Sequence, residues 1–185
     1  MGIKERKEME PTLIKIPKDR IGALIGKNGK TKNKIEKLTQ TEIKIDSRTG
    51  DVEIIAKGDD LMHLKAINIV KAIGRGFSPE NAMLLLEDEN YLEIINIQEF
   101  TGKSKKALIQ KRGRLIGRKG LARKKLEELT NTVISVYGKT ISIIGKPEDI
   151  SLAREAIEML LEGAKHSTVY DFLKRKILAR STEVF

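Results

Sequence analysis

The sequence has no cysteine and no tryptophan, only two histidines and four prolines, and no run of eighteen apolar residues among its 185 positions. Without cysteine there is no disulfide framework and no thiolate metal site. His63 and His166 stand alone, outside any Cys/His/Asp constellation at ligand spacing, so no metal site is expected. There is no HExxH, no Ser/His/Asp set and no acid pair placed for catalysis, so no catalytic residue and no cofactor is assigned. Lacking a long apolar run, the chain is not expected to span a membrane. The opening MGIKERKEMEP holds no apolar stretch of signal-peptide type, which points to a soluble cytoplasmic protein. The bias toward Lys and Glu, with Gln scarce, resembles a hyperthermophile composition.

What the chain has in excess is positive charge, net +10, distributed unevenly. Residues 1–78 carry 17 basic and 11 acidic groups; residues 79–100 carry six acidic and no basic ones; residues 101–185 carry 19 basic and nine acidic ones. Lys103 to Lys125 alone holds eleven Lys or Arg and no acid. A solvated helix face mixes signs, so this stretch fits a surface that meets a polyanion. The acidic segment 79–100 is expected to pack against basic surfaces of its neighbours or to recruit a basic partner.

The chain also repeats. Leu24-Ile25-Gly26-Lys27-Asn28-Gly29 returns as Leu115-Ile116-Gly117-Arg118-Lys119-Gly120, 91 residues later. From Leu24–Thr41 to Leu115–Thr132, nine of eighteen positions are identical, including Glu36/Glu127, Thr39/Thr130 and Thr41/Thr132. That period is too long for a solenoid and suits a duplicated small domain. A lone pair of glycines can be an ordinary helix end; the same pair twice in one frame is a device. Glycine lets backbone approach a sugar-phosphate, and the following helix offers free N–H groups and its positive dipole end to the phosphate. Lys27, Lys30 and Lys34 are placed to meet phosphates in the first copy, with Asn28 donating to one. In the second, Arg118 and Lys119 fill the turn, Arg123 and Lys124 stand behind it, and Arg112 and Arg114 precede it. Two cations in the second turn against one in the first predict a larger electrostatic share for the second copy. The four Phe and three Tyr lie away from both turns in sequence, so stacking on an aromatic platform is not expected.

Periodicity gives each copy the order β-α-α-β-β-α. In the first, Thr12–Ile16 reads as a strand stopped by Pro17, and Asp19 as the cap of a short helix through Leu24 and Ile25. Leu61, Leu64 and Ile67 recur at helical spacing in the closing helix, capped by Asp59 or Asp60. Pro79 to Leu86 reads as a short helix. Ser167 to Arg180 reads as one more amphipathic helix, with Val169, Phe172, Leu173 and Ile177 on one side. A nucleotide hydrolase is the rival reading, because Gly26–Thr31 superficially suggests a phosphate loop. A Walker motif ending at Lys30-Thr31 needs glycine where Leu24 stands, and one at Gly102-Lys103-Ser104 needs it at Ile97. Glu87-Asp88-Glu89 reads as a solvated turn rather than a magnesium site.

Paired Ile-Gly-x-x-Gly turns in this frame resemble the K-homology (KH) family, type I, in tandem. The resemblance covers Pro11 to Leu161 and implies an α+β fold: two domains, each a three-stranded antiparallel sheet packed against three helices. The expected divisions are a tail at 1–10, a first KH domain at 11–75, a linker with a short helix at 76–89, a second KH domain at 90–163 and a helical tail at 164–185. It further implies a groove for about four unpaired nucleotides beside each turn. The floor would be Ile21, Leu24, Ile25 and Ile43 in the first domain and Leu115, Ile116 and Ile134 in the second. Arg114–Gly120, Ile143-Ile144-Gly145, Leu152–Ile157 and the Gly163…Val169-Tyr170 tail are similar to the Dim-two, partner-of-Nob-one and Krr-one group, in its archaeal form. That similarity implies a non-catalytic assembly factor binding small-subunit precursor rRNA near its 3′ end; nothing in the sequence demands a dimer, so a monomer is expected. Its implied partners are a 3′-end-processing endonuclease or a translation initiation factor. The alternatives are a general KH adaptor or exosome-associated protein, and an interaction scaffold in which one KH domain is degenerate.

Overall fold

The structure, a computed structural model, describes residues 10–183; apart from Glu10, the tail expected over 1–10 lies outside them. In the first repeat, β1 (Thr12–Lys15) ends before Pro17, a single 3-10 turn spans Lys18–Arg20, and α1 (Ile21–Ile25) leads into the glycine turn. Asp19 falls inside that 3-10 turn rather than at the cap of α1, which has no side-chain cap. After the turn come α2 (Lys30–Thr39), β2 (Thr41–Asp46), β3 (Asp51–Ala56) and α3 (Asp60–Gly74). The sheet is antiparallel in the order β1-β3-β2, with Ile43 and Thr12 both opposite Ile54. Alternation puts Ile43, Val52 and Ile54 into the core with Leu24, Ile35, Ile69 and Ile73. Asp59 caps α3 by accepting from the Met62 N–H at 2.8 Å. Of the apolar series in α3, Leu61 and Leu64 are exposed, and the buried stripe runs through His63, Ala66, Ile69, Val70 and Ile73. The His63 ring nitrogen meets the Ile54 carbonyl at 3.1 Å, a structural contact to the central strand.

Between the repeats the chain is ordered. Ser78 caps α4 (Pro79–Ala82), and a 3-10 turn follows over Met83–Leu86. Two compact units result: residues through Gly74 with Ser78–Met83, and Arg75–Phe77 with the chain from Leu84 on. Phe77 is buried rather than part of a loose tether, and Ser135 donates to the Arg75 carbonyl at 2.9 Å within the second unit.

The second repeat has β4 (Tyr91–Asn96), α5 (Gln98–Thr101), α6 (Lys105–Ile116), α7 (Leu121–Thr130), β5 (Val133–Tyr137), β6 (Thr140–Gly145), α8 (Pro147–Leu161) and α9 (His166–Thr182). Its sheet order, β4-β6-β5, is the same. Glu93 and Ile134 face Ile143 as Thr12 and Ile43 face Ile54. The offset between copies is therefore 91 at the turn but 81 at the first strand, so about ten residues are added between strand and turn. They form α5 and lengthen α6, whose N-terminus Ser104 caps. The C-terminal helix packs back on its own unit: Val169 and Leu173 of α9 are fully buried, whereas the helix is exposed from Lys174 onward.

Several of the identities between the copies fasten these elements. The Glu36 carboxylate accepts the Ile43 N–H at 2.7 Å, and Glu127 accepts the Ile134 N–H at 2.8 Å. Each ties the helix after the turn to the adjacent edge strand. Thr39 donates to the Ile35 carbonyl and bonds Thr41, both under 3 Å, and Thr130 does the same with Leu126 and Thr132. Buried hydroxyls are thus satisfied in pairs where helix becomes strand.

Candidate nucleic-acid interface

Both turns have one backbone trace. Gly26 and Gly117 sit at φ 72° with ψ 172° and 176°, a region open essentially to glycine alone. A Cβ on Gly26 would lie 2.8 Å from the Thr31 nitrogen, and one on Gly117 would lie 2.6 Å from the Ala122 Cβ. The first glycine therefore serves the packing of the turn on the next helix. Gly29 and Gly120 are left-handed; a Cβ on Gly29 would meet only the Asn33 side chain at 3.7 Å, and one on Gly120 would meet nothing within 4 Å, so close approach from outside is theirs to permit. Between them Asn28 and Lys119 are left-handed too, both at φ 54°. Asn adopts that region readily; Lys does so at a cost of about 1–2 kcal/mol. The turn holds backbone N–H groups in the concave arrangement that binds anions. α2 and α7 begin directly after it with no side-chain cap and no acid in the first turn, leaving amides and dipole uncompensated.

The cations divide into two sets. Lys27, Lys30 and Lys34 in the first unit, and Arg118, Lys119 and Lys124 in the second, are exposed and make no ion pair among the described residues. Arg123 is instead held at 3.1 Å from Glu127 and 3.3 Å from the Ile134 carbonyl, as Lys32 is held by Glu36 at 2.9 Å. Arg114 donates to the Ala164 carbonyl, Lys111 to the Leu161 carbonyl, and the His166 ring meets the Arg114 carbonyl at 2.9 Å. The Lys111 and Arg114 contacts place cations on carbonyls at the end of α8 and three residues beyond it. Arg112 is half-buried with its Nε lacking a partner. Of the six second-unit cations expected at the RNA, three thus face solvent beside the turn, two are engaged internally, and Arg112 is partly sunk into the unit.

The floor residues divide as well. Ile21, Leu24, Ile43, Leu115 and Ile134 are core, each 5% exposed or less. Ile25 and Ile116, one residue before the turns, keep exposed surface. Ile45 and Val136, two residues beyond Ile43 and Ile134 on the same strand faces, are half-exposed and were not singled out from sequence, although period-two spacing would have found them. Tyr170 was also missed. It reaches from α9 to line an open hollow of about 340 Å³ with Leu121, Ala122, Lys124, Lys125 and Glu128. Burial there raises its phenol pKa above the ordinary tyrosine value. Only the fold of the tail onto α7 brings that ring near the second turn.

Two of the acids in 79–100 are matched within the second unit: Glu89 pairs with Lys146 at 2.7 Å, and Glu93 pairs with Arg154. Among the described residues no group of three or more His, Asp or Glu could hold a metal ion. No helix among them is long and apolar enough to cross a membrane. The Gly26–Thr31 segment joins helix to helix, whereas a phosphate loop is fed by a strand.

Two units of β-α-α-β-β-α order, the second with α5 added ahead of α6, each carry a glycine-x-x-glycine turn between α1 and α2 or between α6 and α7, and they define a tandem type I KH protein. A family model described as KH domain matches residues 12–72, and one described as eukaryotic type KH-domain, type I, matches residues 91–177. The chain belongs to the Dim2/PNO1 family. It is 45% identical over 167 residues to a KH domain-containing protein of Methanocaldococcus jannaschii, covering 89% of this chain and 73% of that one. It is similar to Dim2p of Pyrococcus horikoshii, in a crystal structure of that protein with a/eIF2α and rRNA. The identity is 49%, the TM-score 0.87, and the match covers 94% of this chain and 96% of that chain. The RNA-binding protein PNO1 of Oryzias latipes is 31% identical over 150 residues; the match covers 79% of this chain and 61% of that longer protein.

Proposed function

We propose that the chain binds single-stranded small-subunit rRNA near its 3′ end as a non-catalytic assembly factor, each turn clamping the sugar-phosphate backbone. The observation that carries this reading is the duplicated turn: left-handed backbone, an uncapped helix start behind it, and three unpaired cations around each copy. Phosphate contacts supply affinity, while the half-exposed Ile25, Ile45, Ile116 and Val136 offer apolar contact to bases. The relative solved with a/eIF2α and rRNA supports rRNA as the ligand and an initiation factor as a protein partner. A 3′-end endonuclease remains the second implied partner, with this chain presenting or protecting the RNA that it cuts.

The test is ultraviolet crosslinking in cells, mapping contacts on total RNA for the chain and for a variant carrying Arg118→Asp and Lys119→Asp. Crosslinks concentrated near the small-subunit rRNA 3′ end and lost in the variant are expected. Crosslinks scattered over many RNAs would remove the assembly role and leave a general RNA adaptor. ATP turnover and RNA cleavage by the purified chain should both be absent.

A further inference from the structure

The second turn has a hollow at its back that the first has no means to build. Leu121, Ala122, Lys124 and Lys125 open α7 directly after Gly120, and with Tyr170 of α9 they line about 340 Å³ of open space. That falls within the size of small-ligand pockets, about 300–1,000 Å³. Leu121 gives little to the core, being 61% exposed, and Tyr170 is only half-buried. The equivalent positions in the first unit, 91 residues earlier, are Lys30, Thr31, Asn33 and Lys34. There α3 is followed by the four-residue α4, not by a helix like α9. The second unit thus replaces Lys30 and Thr31 by Leu121 and Ala122 and brings the ring of Tyr170 beside them.

The rim is cationic. Lys124 is exposed and makes no ion pair among the described residues, and Lys125 stands 3.9 Å from Glu128, the one acid in the lining. Lys174 follows Tyr170 by one helical turn, exposed and likewise without an ion pair among the described residues. The hollow is not part of the groove beside the turn. Arg123 and Glu127 mark the flank of α7 that faces β5, where both bond Ile134, and Leu121, Lys125 and Glu128 lie around the helix from them. A flat ring beside aliphatic side chains, with cations around it, suits a nucleobase whose face stacks while its phosphates meet ammonium groups. An acidic peptide would satisfy the cations as well. The hollow, however, begins one residue after the clamp, in continuity with a strand already held there.

We propose that the Tyr170 hollow is an accessory base-binding site: one nucleotide beyond those in the groove stacks on the Tyr170 ring, with Lys124 and Lys174 at its flanking phosphates. This inference rests on the reading of the turns as RNA clamps. The strand reaches the hollow by crossing Gly120, where no Cβ stands in its way. The second clamp therefore holds a longer stretch of RNA than the first, by a stacking contact that the spacing of aromatics in the sequence gave no reason to expect.

The experiment titrates the full chain, with the first clamp silenced by Lys27→Asp and Asn28→Asp, with single-stranded RNAs of small-subunit 3′-terminal sequence. One RNA fills the groove alone, about four nucleotides, and one is about twice as long. The readout is the ratio of the two affinities, in this chain and with Tyr170→Phe or Tyr170→Leu added. Phenylalanine keeps the stacking face; leucine keeps an apolar side chain against the core on which Tyr170 packs. The ratio should hold with Phe and fall about tenfold with Leu, the worth of one stacked base, while the short RNA binds all three chains alike. An unchanged ratio with Leu would leave the hollow to a protein partner and overturn the proposal. Equal losses for both RNAs would mean that Tyr170 serves only the fold, and would overturn it too. Adding Arg118→Asp and Lys119→Asp separates the two readings. If the short RNA then binds weakly, the clamp stands whatever the hollow does; if it binds as before, the clamp falls and the hollow with it.

Discussion

Gly117→Ala and Gly120→Ala change the same motif by the same methyl group, three residues apart, yet they should differ several-fold in cost. At Gly117, φ 72° and ψ 176° exclude a side chain, a strain of about 1–3 kcal/mol. The new Cβ would also stand 2.6 Å from the Ala122 Cβ and 2.8 Å from the Ala122 nitrogen. Neither atom can swing away, because one is a stub and the other is backbone at the start of α7, so overpacking adds about 1–3 kcal/mol. At Gly120, φ 75° and ψ 12° is the left-handed helical region, and nothing lies within 4 Å. That substitution should cost about 1–2 kcal/mol from the backbone alone. Urea unfolding of the two variants, followed by a probe in the second unit, measures the difference, expected at about 2 kcal/mol from these figures. Equal midpoints within about 0.5 kcal/mol, the spread of ordinary surface changes, would refute the assignment of the first glycine to packing. The result also governs how binding data are read. A Gly117 variant that loses RNA reports a distorted turn, whereas a Gly120 variant reports the approach of the strand.

Lys119→Asn should stabilise the second unit, because Asn tolerates the left-handed region that Lys119 occupies at φ 54°. It should also reduce the log–log salt dependence of single-strand RNA binding by about 0.7, one phosphate contact; an unchanged slope would take Lys119 off the RNA. Glu127→Ala leaves the Ile134 N–H without its acceptor and should cost about 1–3 kcal/mol in denaturant unfolding, with Glu36→Ala similar. Neutral outcomes there would mean that the helix–strand tie is not structural. The Lys57 ammonium, bonded to Glu42, holds that carboxyl below its ordinary pKa. Its contribution is therefore present above the unfolded carboxylate pKa and is lost as pH falls through the folded value. Carbon-detected titration should show this low midpoint and its rise toward the ordinary value in Lys57→Ala, with Lys44 and Lys32 still lowering it.

Period-two and helical spacing were enough to place the strands and the main helices, because each exposes one face and buries the other. They failed on α3, where Leu61 and Leu64 are exposed and His63 is buried. That helix is apolar on most sides, so composition does not choose the face; the Ile54 carbonyl, which the His63 ring meets, lies on another element. The candidate site was legible in its backbone and less so in its charges. Arg114 looked like an RNA ligand because it stands three residues before the turn. Its partner is the Ala164 carbonyl, 50 residues on, and no local pattern announces that contact. Arg123 could have been doubted, since Glu127 lies one helical turn away. Tyr170 needed the docking of α9, which spacing alone did not determine.

The identities that revealed the duplication are, for the most part, not the residues that meet RNA. Glu36/Glu127, Thr39/Thr130 and Thr41/Thr132 fasten helix to strand, and Gly26/Gly117 seats the turn on the next helix. What varies lies on the outside of the same scaffold. Lys27 and Asn28 become Arg118 and Lys119, and Lys30 becomes the exposed Leu121 at the edge of the Tyr170 hollow. The unpaired cations around the two turns are three in each unit, so number alone gives the second no electrostatic advantage. Its advantage would have to come from position. Arg118 and Lys119 are both in the turn, and Lys119 is held there in a conformation unfavourable for lysine. Lys30 and Lys34 lie on the following helix, where the side chains must reach back to a phosphate and lose rotamer freedom in doing so. Equal salt slopes for Lys27→Asp and Lys119→Asp would therefore mean that charge count governs the two clamps, and unequal slopes that the strained turn does.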